Sequence, residues 1–169
     1  MLMGVEEEDR AAVRRERLLD PALVFHGLPG RTRDEVLEEL ASHLAERGRV
    51  SAPGELVDRL LEREKLGCTG LGGGVAIPHC KWKDLDEVVV AVASTEHPVD
   101  FAAADGVPVS LVFLVVSPAQ APAAHLQTLA RISRLLRTPR VVEGLRRAES
   151  SEKMLEVLRE AEAGLPVAP

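Results

Sequence analysis

Residues 108–117 read PVSLVFLVVS: a proline, then nine residues of Val, Leu, Phe and Ser without a single charge. A run of this kind, bounded by turn residues, suits a strand covered on both faces. The segment 86–94, DEVVVAVAS, has the same character. Together they predict the centre of a sheet, and the flanking sequence supplies covers for it. Upstream, TRDEVLEELASHLAERG (32–48) sets Val36, Leu37, Leu40 and Leu44 on one helical face, with Thr32 as cap and Gly48 as stop. SAPGELVDRLLEREKLG repeats the pattern with Ser51 as cap, Pro53 in the first turn and a stripe of Leu56, Val57, Leu60 and Leu61. Downstream, a helix opens near Pro122 and closes before Pro139, and one or two more follow, with Ser151 as a cap.

Shorter strands are expected at 22–28 (or a loop there), at GVAIP (74–78), and as an edge piece at Pro98–Phe101. Helices precede, interrupt and follow the strands. The expected fold is therefore α/β, a single domain with a small mixed β-sheet flanked by helices on both sides. Residues 1–17 read as an extension, a mobile arm or short surface helix. The domain spans 18–162, and 163–169 form a tail expected to fray.

Composition narrows the function. The chain has 169 residues, 46% apolar and 28% charged, enough for a real core. A net charge of −6 speaks against a nucleic-acid or anionic-membrane footprint, and with one Trp, three Phe and no Tyr there is little to stack bases on. No window approaches the roughly 18–20 apolar residues of a membrane span. The N-terminal stretch lacks the apolar run of a signal peptide, so the expected location is the cytoplasm. Two cysteines, Cys68 and Cys80, are too few for a disulfide framework.

The chemistry gathers at GGGVAIPHCK (72–81). Pro78 lacks a backbone donor and fixes its own φ, so a strand is expected to stop there and deliver His79 at a sheet margin. Glycines at 70, 72, 73 and 74 allow positive φ and could let main-chain N–H groups converge on an anion. The run matches neither a dinucleotide-binding fingerprint nor a P-loop. Two other residues belong to the same reading. Arg63, at the end of the second helix, offers a fork to an oxyanion at His79; its plain alternative is a solvated helix end. His125 aligns with Leu129, Ile132 and Leu136 in the first turns of its helix, where a satisfied core histidine is the plain alternative and an anion-facing one the functional alternative. His26, His43 and His97 carry no argued role.

At this point the segment REKLGCTGLGGGVAIPHCK (63–81) resembles the active-site stretch of the type-2 enzyme IIA domains of the bacterial phosphoenolpyruvate-dependent phosphotransferase system, the fructose, mannitol and nitrogen-regulatory class. The likeness rests on Arg63-Glu64-Lys65, Thr69-Gly70-Leu71-Gly72 and Val75-Ala76-Ile77-Pro78-His79. A second stretch, VVSPAQAPAAHLQTLARISRLL, is similar to the family's His-Leu-x-x-Leu helix after a strand-ending turn. The resemblance spans about residues 18–162. It departs at Cys80, where the family usually has Gly, and at Gly74, where Asn often sits.

The resemblance implies a phosphoryl carrier that takes the group from phospho-HPr, the histidine phosphocarrier protein, onto His79. His125 is then the neighbouring active-site histidine and Arg63 the cation that accompanies the phosphoryl group. Thr69, Gly70 and Gly72 line the pocket, and no cofactor is implied. Downstream stands either a IIB component or a regulated protein, and the motif pair leans towards the nitrogen-regulatory type. Two other readings stay open: a scaffold of the same fold without the phosphate relay, and a metal site built from Cys68, His79, Cys80 and His125. The latter suits zinc by softness but not by spacing.

Overall fold

The two charge-free runs form the middle of a six-stranded mixed sheet. The computed structural model describes residues 18–164; the expected extension 1–17 and all of the expected tail after Gly164 lie outside the described residues. A short 3-10 turn, Pro21–Leu23, leads into β1 (Val24–Leu28). Helices α1 (Arg33–Glu46) and α2 (Pro53–Lys65) follow, then three short strands, β2 (Gly70–Gly72), β3 (Val75–Ala76) and β4 (His79–Trp82). The long strands β5 (Val89–Val99) and β6 (Val109–Pro118) come next, and α3 (Pro122–Leu136), α4 (Pro139–Arg147) and α5 (Ser151–Ala163) complete the described chain.

Strands β5 and β6 pair antiparallel, with Val90 opposite Val115 and Val92 opposite Phe113. β1 lies parallel to the outer side of β5. Along the other side of β6 run β3 and then β4, both parallel to it, and β2 closes that edge antiparallel to β3. The period of two along β6 splits its side chains between two cores. Val112, Leu114 and Val116 pack with Leu37 and Leu40 of α1 and Leu56 and Leu60 of α2. Leu111, Phe113 and Val115 pack with Ile132 of α3, Leu145 of α4 and Met154 of α5. The central strand carries no charge because neither of its faces meets water, and burying each such side chain is worth about 1.5–3 kcal/mol.

The expected architecture is the observed one, and three details differ. The edge piece expected at Pro98–Phe101 is the end of β5, which runs on through Val99 after its register slips between Ser94 and Val99. The cap of α2 is Ala52, not Ser51, and it makes no side-chain bond. Pro53 as first helical residue explains this, since its ring removes one of the N–H groups a cap would satisfy. The cap of α5 is Ser150, whose hydroxyl accepts from Lys153 N–H at 3.1 Å. Ser151 is left to accept from His26 N–H at 3.1 Å, tying α5 to β1.

Candidate active site

Pro78 interrupts the strand without ending it. Its carbonyl accepts from Val115 N–H at 2.9 Å, and pairing with β6 resumes at His79 opposite Val115. The missing proline donor costs one bond of one rung, while the direction and phase of the strand survive. That corrects the expectation of a strand that stops. Val75 and Ile77 lie in the core under α3–α5, whereas Ala76, Cys80 and Trp82 lie in the core under α1 and α2. By the same alternation His79 and Lys81 share the α3 side, and Cys80 points the other way.

On that side His79 meets His125, the fourth residue of α3. Their ring centroids are 5.3 Å apart and the planes tilted by 53°. His125 is 8% exposed, held among the inward residues of α3, while His79 is half-buried. Each ring has its Nδ1 engaged: His79 donates from Nδ1 to the Ile77 carbonyl at 2.8 Å, and His125 Nδ1 lies 2.6 Å from Ser117 Oγ. A carbonyl only accepts, so His79 carries its proton on Nδ1 and presents a bare lone pair at Nε2. Burial is the main cause that holds the pKa of both rings below the usual histidine value. The Ile77 carbonyl works against this at His79, and the Arg63 charge adds to it; at His125 the charges of His79, Lys81 and Arg63 add to it. Both shifts favour the neutral ring at pH 7.

Arg63 therefore reaches the site electrostatically from the last turn of α2, where its guanidinium also donates to the Gly67 carbonyl at 3.1 Å. Beside it the buried Glu64 carboxylate takes both the N–H (3.4 Å) and the hydroxyl of Thr69. Thr69 in turn accepts from Ile77 N–H at 3.0 Å. A line of hydrogen bonds thus runs from Glu64 through Thr69 and Ile77 to the His79 ring. Thr69 sits next to the site with its hydroxyl turned to Glu64.

The glycines shape the hairpin that leads to His79. Gly72, Gly73 and Gly74, with φ of 84°, 64° and 80°, make the β2–β3 turn, a conformation open to few other residues. Gly73 N–H donates to Asp105 Oδ2 at 2.8 Å, its carbonyl accepts from the Arg146 guanidinium, and Gly70 N–H donates to Cys68 Sγ at 3.1 Å. From Val75 to His79 an extended chain covers about 13 Å. Gly72 lies at the far end of that stretch, and Gly70 pairs with Ala76.

The four residues of the metal reading do not converge on one point. Cys68 Sγ donates to the Phe101 carbonyl at 2.9 Å, and Cys80 lies on the opposite face of the sheet from His79. Among the described residues no group of three His, Cys, Asp or Glu could hold a metal ion. Burial pushes the Cys80 thiol up to about 12, which makes it an inert filler of the α1–α2 core.

Three neighbours escaped the sequence reading. Lys81 was readable, since it stands two residues after His79 on a strand. Glu64 entered only as a letter of the Arg63-Glu64-Lys65 motif with no role of its own, and Ser117 only as the end of an apolar run.

Residues 17–161 match the family described as Phosphoenolpyruvate-dependent sugar phosphotransferase system, EIIA 2. The chain belongs to this family. It is 34% identical over 152 residues to the nitrogen regulatory protein of Pseudomonas aeruginosa, covering 90% of this chain and 99% of that protein. Its fold is similar to the crystal structure of the nitrogen regulatory protein IIA-Ntr from Neisseria meningitidis, with a TM-score of 0.77 at 30% identity over 85% of this chain and 97% of the other. It is also similar to enzyme IIA for mannitol of Escherichia coli in its complex with phosphorylated enzyme IIB, with a TM-score of 0.71 at 26% identity over 84% and 97%. Members of this EIIA family are phosphoryl carriers. Among the described residues no helix is long and apolar enough to cross a membrane.

Proposed function

We propose that this chain carries a phosphoryl group on Nε2 of His79, receiving it from phospho-HPr in the cytoplasm. The observation that carries the reading is the unclaimed Nε2 of a neutral ring, fixed by the Ile77 carbonyl and set 5.3 Å from a second histidine. The His79 lone pair attacks phosphorus as the P–N bond to the donor imidazole breaks, and the donor nitrogen keeps that electron pair. The new phosphoimidazole is cationic with a proton on Nδ1, and the Ile77 carbonyl stabilises it there. Transfer of this kind asks for positioning and for charge to be met on the equatorial oxygens. Arg63, Lys81 and an Nε2–H of His125 are the groups of this chain that meet it. Thr69 and Gly70 border the site, and Gly72 holds the hairpin behind it.

Likeness to nitrogen regulatory proteins over nearly the whole chain favours a regulatory output, in which the phosphorylated and free forms are read by another protein. The second reading, delivery to a IIB component, draws on the mannitol IIA–IIB complex. Incubation with phosphoenolpyruvate, enzyme I and HPr, followed by intact mass, is expected to add one phosphoryl group that is acid-labile and stable to base. A chain that stays unmodified under these conditions sinks the carrier reading.

A further inference from the structure

We propose that Ser117 is a positioning residue whose hydroxyl holds His125 as the Nε2–H tautomer. Ser117 is fully buried in β6, directly opposite Lys81 of β4, and its Oγ lies 2.6 Å from His125 Nδ1. That is the hydroxyl's single hydrogen bond among the described residues. Two assignments fit the distance, and they differ in what they leave over. If His125 Nδ1 carried the proton, the serine would accept, and its own O–H would be a buried donor with no acceptor. If the serine donates, only oxygen lone pairs go unused. An orphaned buried donor is the costlier remainder, so the serine donates and the imidazole proton sits on Nε2.

The consequence is a division of roles between two chemically identical rings. His79 faces a group that can only accept, which bares its Nε2 lone pair for attack. His125 faces a group that donates, which places an N–H where an oxygen of a phosphoryl group on His79 would need one. Each orienting atom sits on the sheet: the Ile77 carbonyl between β3 and β4, and Ser117 near the end of β6. His79 cannot exchange tautomers without breaking its bond to that frame, and His125 can do so only by turning the Ser117 hydroxyl from donor to acceptor and orphaning its proton.

The kinetic part of this proposal rests on the carrier reading; the tautomer itself does not. The test is the imidazole 15N spectrum of the full chain, with parallel phosphorylation kinetics. In the wild type His125 should show a bare Nδ1 and a protonated Nε2, and His79 the reverse. Ser117→Ala should leave the His79 pattern in place and move His125 towards a tautomer mixture. Ser117→Ala and Ser117→Val should slow phosphoryl uptake about five- to tenfold, the loss of one hydrogen bond. Ser117→Thr, matched in shape to valine but keeping the hydroxyl, should restore the tautomer and come within about twofold of the wild-type rate. A wild-type His125 protonated on Nδ1, or a tautomer unchanged in Ser117→Ala, overturns the proposal. A normal tautomer pattern in a chain that accepts no phosphoryl group would overturn the carrier reading alone.

Discussion

The glycine turn at 72–74 and the proline–histidine step at 78–79 lie in one short segment, and both interrupt regular pairing. They use the interruption in opposite ways. At the turn the Gly73 backbone is engaged on both sides: Asp105 accepts from its N–H, and the Arg146 guanidinium donates to its carbonyl. At Pro78 the ladder gives up one donor, and the ring that follows keeps a free nitrogen beside a second histidine. Conformational freedom written into a sequence thus says where a chain bends. It does not say which bend is offered to a partner.

If that contrast is right, substitutions on the two sides should separate transfer from stability. The largest effect is expected from His79→Ala, which should abolish phosphorylation by intact mass while the denaturation midpoint shifts little. Arg63→Ala should come next, slowing uptake on the order of 100-fold, the scale of losing one group aimed at developing charge. It should also move the acid limb of the rate profile. The Arg63 charge lowers the proton affinity of His79, so its removal raises the His79 pKa and brings protonation, and loss of the nucleophile, to a higher pH. An unshifted limb would return Arg63 to plain surface.

On the turn side, Gly74→Ala puts a side chain at φ 80°, with its Cβ 2.6 Å from Arg146 Nη2 and 3.1 Å from the Pro108 carbonyl. Chemical denaturation should show a loss of about 1–3 kcal/mol, with uptake per folded molecule unchanged. Asp105→Asn should be the smallest. Hydrogen bonds from Gly73 and Val107 hold the Asp105 carboxyl below its usual value of 3.8, so its contribution is present above that value and fades as pH falls through the depressed one. The midpoint difference from wild type should therefore vanish in acid, again with transfer untouched. Slower transfer in either turn variant, at equal folded fraction, would join the turn to the site.

These same segments mark how far the sequence could be read. The two central strands were legible because burial on both faces leaves a charge-free run, and Val112, Leu114 and Val116 alternate with Leu111, Phe113 and Val115 between two cores. The caps of α2 and α5 each fell one residue from the expected serine, because a following proline or a neighbouring strand decided which group was needed. His79 and His125 could be singled out separately, but their meeting, which only the resemblance implied, depends on β4 running beside β6, a pairing between residues 36 apart that no local pattern shows. Ser117 and Glu64 stayed hidden for a related reason: their importance comes from partners supplied by distant segments. The glycines were ambiguous because positive φ is needed equally by an anion nest and by a tight hairpin.

One consequence of the way β4 alternates its side chains concerns Cys80. With its thiol near 12, on the order of one molecule in 100,000 is ionised at pH 7, and that sulfur faces the helical layer away from His79. Cys68, by contrast, is exposed on the loop before β2. Alkylating reagents will therefore mark the two cysteines on separate clocks. The slow one times the breathing of the strand that bears His79, a reporter already installed one residue from that ring and shielded from it by the sheet.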